Sequence, residues 1–302
     1  MANGIVLGEF AINPDCVTNA TEISALLRIF GFENGAVISE FPKSWTSEVK
    51  SRAQHMEEPA RSAFLDKVNK LKEKAFVRLG RNAEGSSWES KALSSHQVRP
   101  FSGLLHTQAN NDFLCFMDAL ENDEFPKGFR EDKVPRDPDS MVNAVLPLIQ
   151  ASERIGLYDP YFAPDDYFAK FVKRMVERNR EVRHSRLYID IHLEHETEKL
   201  GFLGLQQINA FKSWVDSLPK DLTVTVNWWS DSGTGELHPR YLITERGGAR
   251  FDRGFKIPPV LTQQKHDADV AMMKNDFIKV IENRYKPSYK PMNIIHTQEF
   301  KK

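Results

Sequence analysis

The chain has 302 residues, 40% of them hydrophobic and 27% charged, with a formal net charge of −1 at pH 7. Its length suits two domains of about 150 residues each, and its balanced charge excludes a global pull towards nucleic acid or anionic lipid, so such binding needs a local patch. No apolar run approaches the roughly 18 residues of a membrane span and no leader pattern opens the chain, so the expectation is a cytoplasmic protein without integral membrane association.

Residues 5–12 read as a short strand, and residues 21–30 as an amphipathic helix capped by Asn19 or Thr21 and stopped by Gly31. Residues 36–41 predict a second strand. Residues 45–81 are rich in Glu, Lys and Arg, with Phe64, Val68, Leu71, Ala75 and Phe76 at helical spacing, which predicts one long charged helix. Residues 81–95, with Gly85 and several serines around Trp88, predict an exposed connection. Cys16 and Cys115 have neither disulfide nor metal-ligand spacing, and no metal or cofactor is expected. His184, His192 and His195 with Glu194 and Glu196 do not change that, because strand alternation splits them between two faces.

Residues 121–139 are dense in charge and carry Pro126, Gly128, Pro135 and Pro138. There the chain is expected to divide into a smaller N-terminal domain of α/β or α+β type, residues 1–139, serving as an adaptor, and a second domain, residues 140–302. Asp137 and Pro138 start a helix that runs to about Ser152 with a kink at Pro147. Residues 154–158, 187–193 and 222–228 predict strands, and residues 166–180 and 207–218 predict the helices that cross between them, which implies a parallel sheet. Residues 238–244 and 249–251 predict antiparallel strands about a glycine turn, residues 269–285 a last helix, and residues after Pro287 a peripheral tail.

The chemistry concentrates in residues 237–255. On a strand, His238 and Arg240 point the same way and flank one small anion, with Pro239 facing away. The sequence of His-x-Arg, four residues, then Glu245 and a glycine turn resembles the His-x-Lys motif of the phospholipase D superfamily. It is closer still to the phospholipase D-like domain found C-terminal to MIT domains in ESCRT-associated proteins. The residues that carry the likeness are Asp159-Pro160-Tyr161, His238-Pro239-Arg240 and Arg253-Gly254-Phe255, from about Met141 onward.

The resemblance implies a mixed sheet flanked by helices and a phosphate pocket formed by His238, Arg240, Arg253, Asp159 and Tyr161. In active members one histidine attacks phosphorus, a second protonates the leaving oxygen, and lysines hold the phosphoryl oxygens. Here one such motif is present, so catalysis by His238, Arg240 and Glu245 would need a homodimer. Arg240 grips phosphate with a fork but cannot share a proton. The expectation is therefore a degenerate module that reads phosphates of nucleic acid without turnover, joined to partner proteins in an assembly. The resemblance also suggests antiphage defence. The rivals are a metal-independent dimeric nuclease or phosphodiesterase, and a peripheral binder of anionic membranes. For nucleic acid, the candidate contacts are the basic run Lys170, Lys173, Arg174 and Arg178, with Trp229 as a stacking platform beside Ser230 and Asp231. The plain reading of the basic run is the solvated face of a helix, and that of Trp228-Trp229 is core.

Overall fold

A computed structural model of the chain describes residues 4–82, 84–121, 129–195, 203–230, 235–259 and 267–302. It has two compact units, one of residues 7–130 and one that groups residues 4–6 with residues 131–302.

The N-terminal unit is of α/β type. Its elements are β1 (Gly8–Ile12), α1 (Ala20–Ile29), β2 (Ala36–Ser39), α2 (Trp45–Ser51), α3 (Ala60–Ala75), β3 (Phe76–Val77), α4 (Trp88–Val98), β4 (Gly103–His106), β5 (Leu114–Cys115) and α5 (Phe116–Glu121). The five strands form a parallel sheet in the order β3-β2-β1-β4-β5. Phe10, Ile12, Ile38 and Leu105 pack under α1 and α3, while the alternate residues Ala11 and Leu104 meet Ala92 of α4 on the other face. Asn19 is the cap of α1, its side chain accepting from the Thr21 and Glu22 amides at 2.9 and 3.2 Å.

Two expectations for this unit are corrected. The long charged helix is broken: α2 ends at Ser51, a short 3-10 turn spans Arg52–His55, and α3 begins at Ala60 directly after Pro59, where a helix start needs no N–H from the proline. The expected exposed connection holds α4, whose cap Ser87 accepts from the Ser90 amide at 3.2 Å.

The C-terminal unit is a mixed α/β layer structure. It comprises β6 (Glu131–Val134), α6 (Pro138–Ala144), α7 (Leu146–Ala151), β7 (Arg154–Tyr158), α8 (Asp166–Arg180), β8 (Leu187–Glu194), α9 (Leu205–Asp216), β9 (Leu222–Ser230), β10 (Tyr241–Thr244), β11 (Gly247–Phe251), β12 (Ala268–Met272), α10 (Asn275–Arg284) and β13 (Asn293–Lys301). The strand order is β13-β9-β8-β7-β10-β11-β12-β6. β7, β8 and β9 are parallel, as their helical crossovers require, and β10 and β11 pair antiparallel across the turn at Glu245 and Arg246. The break between α6 and α7 falls at Val145, just before Pro147.

Helices cover both faces of this sheet. Phe171 of α8 stacks on Phe255 at 5.0 Å and Phe211 of α9 meets Trp228 edge-on at 5.3 Å, while α10 packs Ile278 and Ile281 with Tyr158, Trp229 and Ile243 on the opposite face. Three boundaries differ from expectation. Glu131–Val134 pairs with β12, which moves the division of the chain ahead of residue 139. Residues 268–272 form a strand before α10 begins, because Ala268, Val270 and Met272 are buried in alternation. The segment after Pro287 is peripheral but not a loose tail, since it forms the exposed edge strand β13, paired with β9 along its length.

Candidate anion-binding site

β7 ends at Tyr158, and the chain turns so that Asp159 lies under the turn that follows β11. The Asp159 carboxylate is buried and accepts from the Tyr161 amide at 3.0 Å and the Phe255 amide at 3.2 Å. Gly254 makes this approach possible. It sits at φ +67°, and a Cβ there would lie 2.2 Å from Asp159 Oδ2 and 3.4 Å from Arg240 Cγ.

Arg240 enters from the segment before β10. Its Nε is 3.9 Å from Asp159 Oδ1, its Nη1 donates to the Asp252 carbonyl at 2.9 Å, and its guanidinium carbon lies 5.0 Å from the centre of the Tyr161 ring. His238 is exposed, with Nδ1 3.4 Å from the Tyr161 hydroxyl. Arg253 is half exposed, its Nε 3.8 Å from Asp252 Oδ2. The three segments Asp159-Pro160-Tyr161, His238-Pro239-Arg240 and Arg253-Gly254-Phe255 therefore meet at one place.

No protein-family model matches the chain, and comparison with curated proteins finds no relative.

The site carries one cation that the sequence pattern did not reveal. Arg136 donates from Nη2 to the Lys256 carbonyl at 2.7 Å, and its buried Nε meets no acceptor among the described residues. Burial, and then the charges of Arg253 and Arg240, push Arg136 down from the ordinary arginine range, against the pull of Asp252 and Asp159. Burial likewise pushes the Asp159 carboxyl up, opposed by the Phe255 and Tyr161 amides and the charges of Arg240 and Arg136. Three guanidiniums thus stand within electrostatic reach of one another with two carboxylates between them. That surplus of positive charge and free donors is what a phosphate oxygen meets well.

The placement of His238 differs from expectation, because β10 begins at Tyr241. His238 and Arg240 share the site through a loop, not through the side-chain alternation of a strand. Leu237 anchors that loop in the core beside Tyr241 and Ile243. Glu245 is not brought to the site. It lies beyond the far end of β10, where it accepts from the Glu153 amide at 2.8 Å and holds the start of β7.

Trp229 is 1% exposed and cannot offer a face to a base, so the stacking reading of that residue is corrected. Asp231 lies outside the described residues. In the basic run, Arg174 pairs with Asp139 and Glu177, and Arg178 with Glu181 and Asn143, so these two arginines staple α8 to α6 and to its own turns. Lys173 is half-buried, and Lys170 is exposed on the first turns of α8.

Behind the site, the Trp229 indole donates to His192 Nδ1 at 3.1 Å, and the His192 ring lies flat on Tyr158 at 4.3 Å. Burial pushes the His192 pKa down from 6.5 to about 4. The folded protein therefore holds a neutral imidazole that the unfolded chain protonates near pH 6.5. Its contribution is complete above pH 6.5 and is lost as pH falls towards 4, up to about 3 kcal/mol. His192→Asn, which keeps an acceptor near the indole, is expected to flatten the stability profile across that window. Denaturant titrations of both proteins at a series of pH values check this, and parallel profiles would refute it.

Proposed function

We propose that the C-terminal unit is a degenerate phospholipase D-like module that binds phosphate groups of nucleic acid without cleaving them. The observation that carries this reading is the meeting of His238, Arg240, Arg253, Tyr161 and Asp159 at one site, with Arg136 as a further guanidinium. A mixed sheet with helices on both faces is compatible with such a module. Binding without turnover follows from the chemistry of the contacts. Arg240 supplies charge and a fork of donors but no transferable proton, and His192 is occupied in a stack with Tyr158 and a hydrogen bond from the Trp229 indole, which leaves His238 as the histidine beside Tyr161 among the described residues.

A second reading has one observation in its favour. His238 is exposed, and among the described residues its side chain meets the Tyr161 hydroxyl, so a second copy of the chain would be able to bring its own His238 to the same phosphate. Cleavage of single-stranded and duplex DNA and RNA in EDTA, over a range of protein concentration, separates the two. Under the first reading neither wild type nor His238→Ala cleaves, and Arg240→Ala lowers affinity for a phosphate-bearing strand by about 10- to 100-fold, the worth of one or two charged hydrogen bonds. An EDTA-resistant activity that rises steeply with protein concentration and is absent from His238→Ala would establish the dimeric enzyme instead.

A further inference from the structure

Tyr161 and Tyr167 are among the few large hydrophobic side chains left exposed in this unit, at 55% and 37%. Tyr161 has one cation over its ring and Tyr167 has two. The Arg240 guanidinium carbon lies 5.0 Å from the Tyr161 ring centre, and the Lys256 and Lys170 ammonium groups lie 5.3 and 5.5 Å from that of Tyr167. One short, well-anchored segment ties the two rings together. Gly254 seats under Asp159, the Phe255 amide donates to Asp159, the Lys256 carbonyl accepts from Arg136, and the Ile257 amide donates to the Tyr167 carbonyl at 3.1 Å. From Arg253 to Lys256 the backbone spans at most about 11 Å, the length of about three stacked nucleotides.

We propose that the anion site is one end of a track for single-stranded nucleic acid that passes over Tyr161 and Tyr167, with Arg240, Arg253, Lys256 and Lys170 meeting the phosphates. This inference rests on the phosphate-binding reading above and adds to it the strandedness of the ligand and its path.

The alternation of cation and exposed ring is what selects an unpaired strand. A tyrosine face gains from stacking only on a base whose own face is open, and a duplex hides those faces. Lys256 is half exposed and Lys170 exposed, so both are free to swing from the ring edge to a phosphate when a base takes the ring. Asp165 Oδ2 is 4.0 Å from Lys256, the outer limit of an ion pair, while its Oδ1 accepts from the Tyr167 and Phe168 amides as the cap of α8. The stacking role that the buried Trp229 cannot fill therefore falls to Tyr161 and Tyr167.

The test measures binding of the full chain to an oligothymidylate, to the matched duplex, to inorganic phosphate and to vesicles of phosphatidylserine. Tyr167→Ala is expected to weaken oligothymidylate binding by roughly 10- to 100-fold while leaving phosphate binding unchanged, and Tyr167→Phe, which keeps the ring face, is expected to retain wild-type affinity. Thermal melting of both variants controls for the fold. Duplex binding as tight as single-strand binding, oligothymidylate affinity within about twofold of wild type for Tyr167→Ala, or preferential binding to the vesicles would each overturn the track. If Arg240→Ala leaves inorganic phosphate binding unchanged, the phosphate-binding reading itself fails, which is a result separable from failure of the Tyr167 variants.

Discussion

Gly254→Ala is expected to destabilise the C-terminal unit by about 2–5 kcal/mol, more than any conservative change elsewhere in the turn. Two costs combine. An L-residue at φ +67° pays about 1–2 kcal/mol against the following carbonyl, and a methyl group 2.2 Å from Asp159 Oδ2 must displace a buried carboxylate or the backbone, at about 1–3 kcal/mol. Relief by moving Asp159 breaks its bond from the Phe255 amide and pulls a charge away from Arg240. Gly235→Ala is the internal control. It has a similar φ of +75°, but its nearest obstacle among the described residues is the flexible His238 ring at 3.4 Å, so the dihedral cost alone is expected to apply. Hydrogen exchange of amides in β7, β10 and β11, compared between the two variants, reads the difference. A Gly254→Ala protein no less protected than Gly235→Ala would show that the turn does not depend on this close approach.

That turn was legible in the sequence as a motif but not as a geometry. Asp159-Pro160 at a strand end, His238 and Arg240 two residues apart, and the Arg253-Gly254 turn pointed to one site, and the fold brings them together. Glu245 failed the same reasoning because closeness in sequence misleads along an extended strand. With β10 extended between them, Arg240 and Glu245 lie about 16 Å apart at about 3.3 Å per residue. Trp229 failed because alternation says only that Trp228 and Trp229 face opposite ways. That helices cover both faces, α9 over Trp228 and α10 beside Trp229, is a tertiary fact. Arg136 was invisible for a related reason. It lies in a proline-bearing stretch that reads as punctuation, and its role exists only once Lys256 and Arg253 are placed beside it. The strands β12 and β13 do carry period-two burial, but exposed Asp269 and the polar run His296, Thr297, Gln298 and Glu299 mask it on a hydrophobic count.

The second large effect expected is at Asp159, where stability and binding should move in opposite directions. Asp159→Asn keeps the shape of the side chain but presents an amide N–H₂ to one of the two backbone N–H groups the carboxylate now accepts, and it removes the negative charge that Arg240 and Arg136 face. A buried donor left without an acceptor and a lost charge partner together cost about 3 kcal/mol. The same change leaves the guanidiniums of Arg136, Arg240 and Arg253 with one carboxylate fewer between them, so inorganic phosphate is expected to bind several-fold more tightly, most of all at low ionic strength. Because a ligand that binds only the folded state stabilises it in proportion to its affinity, saturating phosphate should raise the melting temperature of Asp159→Asn by more than that of wild type. A residue that merely positions Arg240 would behave otherwise, and its loss would lower stability and phosphate affinity together. Melting curves of both proteins with and without phosphate therefore decide whether Asp159 is the internal counter-charge that an incoming phosphate competes with, or only a strut for the arginine beside it.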